Sequence, residues 1–279
     1  MFYNAILDPS QHFYTFPGPF DSTQNSWTAW SIPQGVSYVG FTVIGGGGNG
    51  AQGRITNLVG GGTGAISSLI IQSRFLPSII YLQPGSTGGY PSYVCVNPSI
   101  SNNNIILQAS AGSVGGSPTA QTGGAGGVAS NANNSTFAML GTYVSFPGVA
   151  GGTGSTSGNA SDVTVLTSFP LTPGAGGGGN GSGSGGNIIH PSFTLAGGVN
   201  GATANGTSGF LLSTQPLLSL GGAGGAAGSG TAPNVGNGGD AIGYGSGGGG
   251  TGGWQSASGS YVPPPGGLGG PGLIFINCW

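Results

Sequence analysis

The sequence predicts an all-β protein in which short strands, arranged in a sandwich-like way, cap packed polyglycine-II-type glycine helices, with almost no α-helix. Three observations lead there. Residues 36–53 (VSYVGFTVIGGGGNGAQG) open with Val39, Phe41 and Val43 alternating with Tyr38, Gly40 and Thr42, the period of two expected of a half-buried strand, and at Ile44 run into four glycines. The same grammar, a β-branched or aromatic run followed by a glycine tract, recurs to the end of the chain. No window carries a 3.6-residue apolar stripe, and each interior glycine costs a helix about 1 kcal/mol relative to alanine.

Taken in order, residues 1–28 are aromatic and turn-rich, and Pro17, Gly18 and Pro19 break any helix. They form an N-terminal segment distinct from a glycine-rich β domain over 29–279. Two readings fit the segment: an irregular strand packed on the first sheet, or a docking segment whose anchors are Phe13, Tyr14, Phe16, Phe20 and Trp27, since aromatic residues favour interfaces. Strands are expected over 36–44, 65–71, 78–82, 93–96 and 105–108, with a turn at Phe75-Leu76-Pro77 and another at 102–104. Residues 137–146 suggest a strand pair around Gly141. Further strands are expected at 163–166 and at 273–276, where Leu-Ile-Phe-Ile reads as a buried final strand, while 188–195 and 210–220 read as apolar segments between glycine tracts.

Glycine (66) and proline (19) together make up roughly 30% of the 279 residues, a composition that by itself points to disorder. Disordered chains, however, are charge-rich and aromatic-poor. This one has two basic and four acidic residues against 12 Phe, 9 Tyr and 4 Trp, and its apolar residues come in strand-sized clusters. The glycine is therefore geometric in purpose. Quadruplets at 45–48, 176–179 and 247–250 are unevenly spaced, so no fixed-period solenoid fits, and collagen fails for want of a Gly-X-Y repeat. Flexible linkers would not need an apolar run between each pair of tracts. Extended glycine helices of three residues per turn would: lacking Cβ, they approach closely on every side and exchange backbone hydrogen bonds and Cα–H···O contacts. Ordering them costs at least about 1–2 kcal/mol per residue, so many tracts and strong β caps are required.

The charge count excludes several functions. Two arginines cannot neutralise a phosphate backbone, which argues against nucleic acid. No apolar run reaches the roughly 20 residues that span a bilayer. No signal peptide is visible, which fits a protein made in a host cytoplasm and released with a particle. A net charge of −2 over such a chain favours association, hence a homo-oligomer or a component of a larger assembly.

Catalytic chemistry finds no motif. Gly-x-Gly-x-x-Gly strings arise from composition alone, and a P-loop lacks its lysine. His12, His190, Cys95 and Cys278 have no paired metal-ligand spacing. No Gly-x-Ser-x-Gly sits on a strand-to-helix elbow, and no close carboxylate pair is present. No cofactor or metal is expected, and the chain reads as a non-enzyme. Asp162 and Asp240 read as turn formers. The Asn-x-Ser/Thr sequons at Asn133, Asn134, Asn159, Asn180 and Asn205 follow from composition. Cys95 reads as a small buried hydrophobe, while nothing fixes its separation from Cys278. Binding remains. Tyr90, Tyr143, Tyr244, Trp254 and Tyr261 stand beside glycine or small residues, where a ring either contacts a receptor or caps the glycine bundle.

Trp30-Ser31-Ile32-Pro33-x-Gly35-Val36, then Val43-Ile44 and four glycines, with the closing Gly269-Gly270-Pro271-Gly272-Leu273-Ile274, resembles glycine-rich domains of bacteriophages and other aquatic viruses. The tract pattern is also similar to the polyglycine-helix adhesins at the tail-fibre tips of T-even-type phages, from which the N-terminus departs. The resemblance implies a virion surface protein, capsid-associated or part of a spike or fibre. Its partners would be other virion proteins and a host-surface glycan or protein receptor met by loops between tracts. An ice- or polysaccharide-binding extracellular protein is the alternative. It calls for regularly spaced Thr or Ala on one face, and the sequence shows no such spacing.

Overall fold

A computed structural model describes residues 11–21, 23, 26–52, 58–115, 136–155, 157–165, 171–178, 183–191, 193–199, 205–209, 235–253 and 265–279. The apolar segment at 210–220 lies outside them. The fold is nearly all β. Strands β1 (His12–Pro17), β3 (Tyr38–Ile44), β4 (Ile66–Gln72), β8 (Gly141–Phe146) and β12 (Leu273–Cys278) make a five-stranded antiparallel sheet in the order β1-β12-β3-β4-β8. Strands β2 (Thr28–Ser31), β5 (Ile79–Gln83), β6 (Ser92–Cys95) and β7 (Ile105–Ala109) make a four-stranded antiparallel sheet in chain order. A small third sheet joins β9 (Val163–Thr164), β10 (Ile188–His190) and β11 (Phe193–Leu195).

The two large sheets share one core. Alternation along β3 buries Val39, Phe41 and Val43, and along β4 and β12 it buries Leu69, Ile71, Ile274, Ile276 and Cys278. The four-stranded sheet answers with Trp30, Ile80, Leu82, Val94, Ile106 and Leu107. Trp30 links them, edge-on to Phe41 at 6.4 Å and to Tyr14 at 5.5 Å, contacts worth about 0.5–1.5 kcal/mol each beyond area burial. The N-terminal segment contributes β1, paired with β12 from His12 through Pro17, with Tyr14 and Phe16 packed on the core. Where a strand pair around Gly141 was expected, a single turn of helix α1 (Thr136–Met139) precedes β8. Phe137 of that turn packs on the core, and the close approach of β8 to β4 leaves no room for a side chain at Gly141, where a methyl would overlap the Ile70 carbonyl.

Strands of the sandwich run directly into glycine tracts. Ile44, Ile66 and Leu273 lie side by side in register, and Gly45, Ala65 and Gly272 follow or precede them at one level. Beyond that level the hydrogen bonding changes period. In 245–253, the amides of Gly247, Gly250 and Gly253 donate to the carbonyls of Thr172, Ala175 and Gly178 at 3.1, 2.9 and 2.8 Å. Those of Gly248 and Thr251 donate to Gly48 and Ala51, and those of Gly249 and Gly252 to Gly239 and Gly236. Each third amide points at the same neighbour, and the partner also shifts by three. The sign of the shift makes 172–178 and 48–51 parallel to this tract and 236–239 antiparallel. Residues 60–65 repeat the pattern: Gly60 and Thr63 donate to Gly152 and Val149, Gly61 and Gly64 to Gly248 and Gly245, and Gly62 and Ala65 to Ser113 and Ser110. So do 45–51, where Gly45, Gly48 and Ala51 donate to Ala65, Gly62 and Val59, and Gly47 and Gly50 to Gly270 and Gly267. A β-strand alternates between two sides. These tracts address three.

Such packing excludes side chains. A methyl at Gly50 would overlap the Gly249 carbonyl, one at Gly174 the Gly248 carbonyl, and one at Gly177 the Thr251 carbonyl. The obstacle each time is the backbone of another tract, which is itself hydrogen-bonded and has nowhere to move.

At the outer tracts a polar side chain replaces one of these bonds. Asn159 Oδ1 accepts the Ser184 amide while the next amide, Ala160, donates to the Ser184 carbonyl. Asp162 and Val163 clamp Asn187 in the same way, Asn205 and Gly206 clamp Asn237, Ser208 and Gly209 clamp Asp240, and Asp240 and Ala241 clamp Leu268. Asp162 and Asp240 thus join neighbouring segments rather than shaping local turns. The clamps recur three residues apart along the chain, the period of the backbone bonds.

Replacing Gly174 with alanine should therefore destabilise the fold by about 3 kcal/mol or more. Gly158→Ala, whose methyl would meet nothing nearer than the Ser155 hydroxyl at 3.9 Å, should be neutral or slightly stabilising. Calorimetric melting of the two variants checks this, and equal effects would contradict it.

Candidate functional site

The direction of the strands places the glycine bundle at one end of the sandwich and an aromatic cluster at the other. β3 enters the bundle after Ile44, so Tyr38 is its far end. β4 leaves the bundle at Ile66 and reaches Gln72 at the same far end, directly opposite Tyr38, and β12 carries the chain on to Trp279. Trp279 stacks on Tyr38 with centroids 5.8 Å apart and planes 17° from parallel. Its carbonyl accepts the amides of Ser37 and Tyr38, each at 2.9 Å, and Tyr38 accepts the Trp279 amide, so the backbone holds the stacked pair in place. Trp279 also covers Gly40, where a Cβ would lie 3.4 Å from the indole.

Tyr38 and Gln72, joined by a side-chain bond of 3.4 Å, form a wall between two depressions. One, of ≈ 340 Å³, is completed by Ile70, Leu140 and Thr142. The other, of ≈ 400 Å³, is completed by Val36, Ser37, Ser73 and Arg74. Each is at the low end of the roughly 300–1,000 Å³ of small-ligand sites. The connection after β4 supplies the second depression: Ser73 Oγ donates to the Val36 carbonyl, and Ser73–Phe75 form a 3-10 turn. The exposed Arg74 guanidinium lies 4.7 Å from the Phe75 ring centre.

The residues singled out from the sequence fall elsewhere. Tyr143 is a β8 residue packed against the main core, and Tyr244 packs on the cluster of Ile44, Ile66, Leu171 and Leu273 where sandwich meets bundle. Tyr90 is half-buried, and its carbonyl accepts the Gly46 amide. Trp254 and Tyr261 lie outside the described residues. Of the expected docking residues, Phe20 is 64% exposed and Phe13 is 44% exposed, Phe13 packing beside Phe275 at 6.0 Å. Tyr14, Phe16 and Trp27 are half-buried. Sequence reasoning missed the Tyr38–Trp279 pair. The available signal was Tyr38 at an outward position on the organising strand, with one of only two arginines just past the end of β4.

Among the described residues no three His, Cys, Asp or Glu side chains gather to hold a metal, and no helix is long and apolar enough to cross a membrane. His190 stacks on Phe193 at 4.5 Å. Asp21 accepts both the hydroxyl and the amide of Thr23, which lowers its pKa, the hydroxyl contributing most. Cys95 and Cys278 are buried free thiols, and burial pushes their pKa up to about 12 and about 11. A family described as a glycine-rich domain matches residues 22–279. No curated protein matches the chain.

The buried thiols give a direct expectation. A thiolate reagent at about pH 8 should label neither cysteine in the native protein and both once it is unfolded. The raised pKa values also make the thiols a source of alkaline instability. Their contribution is intact below the unfolded thiol pKa of about 8.5 and is lost as pH climbs from there through about 11–12. Native labelling at the denatured rate would contradict the burial.

Proposed function

This chain belongs to the glycine-rich domain family, and from that premise we propose that it is a non-enzymatic structural component of a virus particle surface. In this reading the tracts are three-residue-per-turn glycine helices forming a stiff, uncharged body, and the protein self-associates or docks on other virion proteins. The observation that carries the reading is the three-neighbour hydrogen bonding of 45–51, 60–65 and 245–253, an arrangement that invests the chain in backbone packing and leaves little room for side-chain chemistry.

Two further features support it. With two basic and four acidic residues, the surface generates little self-repulsion, which suits a subunit held at high local concentration in a shell or fibre. The exposed Phe13 and Phe20 lie on and beside β1, the edge strand of the sheet among the described residues, where a neighbouring virion protein would find an aromatic anchor. The resemblance of the Trp30–Gly48 and Gly269–Ile274 motifs to phage and aquatic-virus glycine-rich domains is what suggests the viral setting of this reading. Host-surface receptor contact is part of the proposal, made by surfaces away from the packed tracts.

Immunogold electron microscopy of particles from the source culture, with antibody against residues 174–197, tests it. Label across the shell is the expected result for a capsid or decoration protein, and label at vertices or fibre ends for a spike or adhesin. Antigen found only free in the medium, with no particle labelled, would overturn the virion reading.

A further inference from the structure

We propose that the far end of the five-stranded sheet binds an acidic saccharide, with Tyr38 as the stacking platform and Arg74 as the carboxylate receptor. The inference is independent of where the protein is deployed. It rests on three features of one small region.

The first is the fixed aromatic surface. Tyr38 is 38% exposed, and stacked Trp279 and the backbone bonds of Ser37 and Tyr38 hold it. A phenol ring so held offers its edge and remaining surface to the C–H face of a pyranose without losing further side-chain entropy.

The second is the polar frame. Gln72 and the Tyr38 hydroxyl stand on the wall between the two depressions, Thr142 lines one, and Ser37 and Ser73 line the other. Amides and hydroxyls on both sides of a ring match the alternating hydroxyls of a sugar. Two depressions separated by one aromatic wall suit a chain of linked rings rather than a single monosaccharide.

The third is charge. Arg74 lines the second depression, and none of the described residues that line either one is acidic. The described carboxylates are accounted for elsewhere: Asp21 binds Thr23, Asp162 binds Asn187 and Asp240 binds Leu268. Arg74 is the one charged side chain among the described residues that line the two depressions. The Phe75 ring beneath it orients the guanidinium without neutralising it. A planar, permanently charged fork of donors is the natural partner of a sugar carboxylate.

Titration calorimetry on the full chain tests this with trigalacturonate, its methyl ester and a sialylated trisaccharide. The expected result is saturable binding of at least one acidic saccharide, with the ester about tenfold weaker or worse, as loss of a charge-assisted contact implies. Which acid binds tells a uronate from a sialic acid. Arg74→Gln should weaken the acidic ligand to the level of the ester while leaving the melting temperature unchanged, because the side chain is exposed. Tyr38→Ala should weaken acid and ester alike. Equal binding of acid and ester, wild-type affinity in Arg74→Gln, or no saturation with either acid would each overturn the proposal.

Discussion

The closeness of one backbone to another in the glycine bundle is the constraint on which the rest of the structure depends. Carbonyls sit where Cβ atoms would be, so the tracts are confined to glycine except where a side chain points into a gap. Thr63 is such a case: its hydroxyl accepts the Val149 amide at 2.7 Å. Asn49 is another, its Oδ1 accepting the Gly269 amide at 2.9 Å. The same closeness keeps charged side chains away from the bundle interior, where another tract's backbone already fills the space a side chain would need. The near-absence of Lys, Arg, Asp and Glu from the chain is consistent with this geometry.

Glycine is also the residue that loses most conformational freedom on ordering, so the bundle needs an organising partner. The sandwich supplies it. Its core is built from ordinary aliphatic and aromatic packing, and its strands deliver the tracts already aligned, as the level row of Ile44, Ile66 and Leu273 shows. The partners come from distant parts of the chain: Thr251 bonds Ala51, and Gly248 bonds Gly48. Closing such long loops is slow, which makes early assembly of the local β5-β6-β7 meander a reasonable nucleus. The polar clamps at 159–163, 205–209 and 240–241 then fasten the outer tracts.

Much of this was legible in the sequence, and unevenly so. The strands at 36–44, 65–71, 78–82, 93–96, 105–108 and 273–276 could be read from period-two burial, and the structure places strands within two residues of each. The N-terminal segment was harder, because His12–Pro17 alternates weakly as an edge strand and ends in Pro-Gly-Pro. The helical turn before Gly141 had no sequence signal, being one turn without caps. The clamps were visible only in hindsight as Asn-x-x-Asp and Asn-x-x-Ser spacings, since the period of three means nothing until the backbone period is known. For the candidate site, tyrosines were sought beside glycine. The packing instead half-buried Tyr143 on the main core and Tyr244 where sandwich meets bundle, while the stacked Tyr38–Trp279 pair joined residues 241 positions apart that no local pattern could link.

The claim that each tract is locked by three neighbours is tested most directly by native-state amide hydrogen exchange, resolved by NMR. The structure predicts that the amides of residues 247–253 exchange as slowly as those of β3 and β12, since each donates to a buried carbonyl of another tract. Exchange of these amides at the rate of the exposed 97–103 loop, with the sandwich amides still protected, would contradict it and reduce the tracts to loose connections between strands.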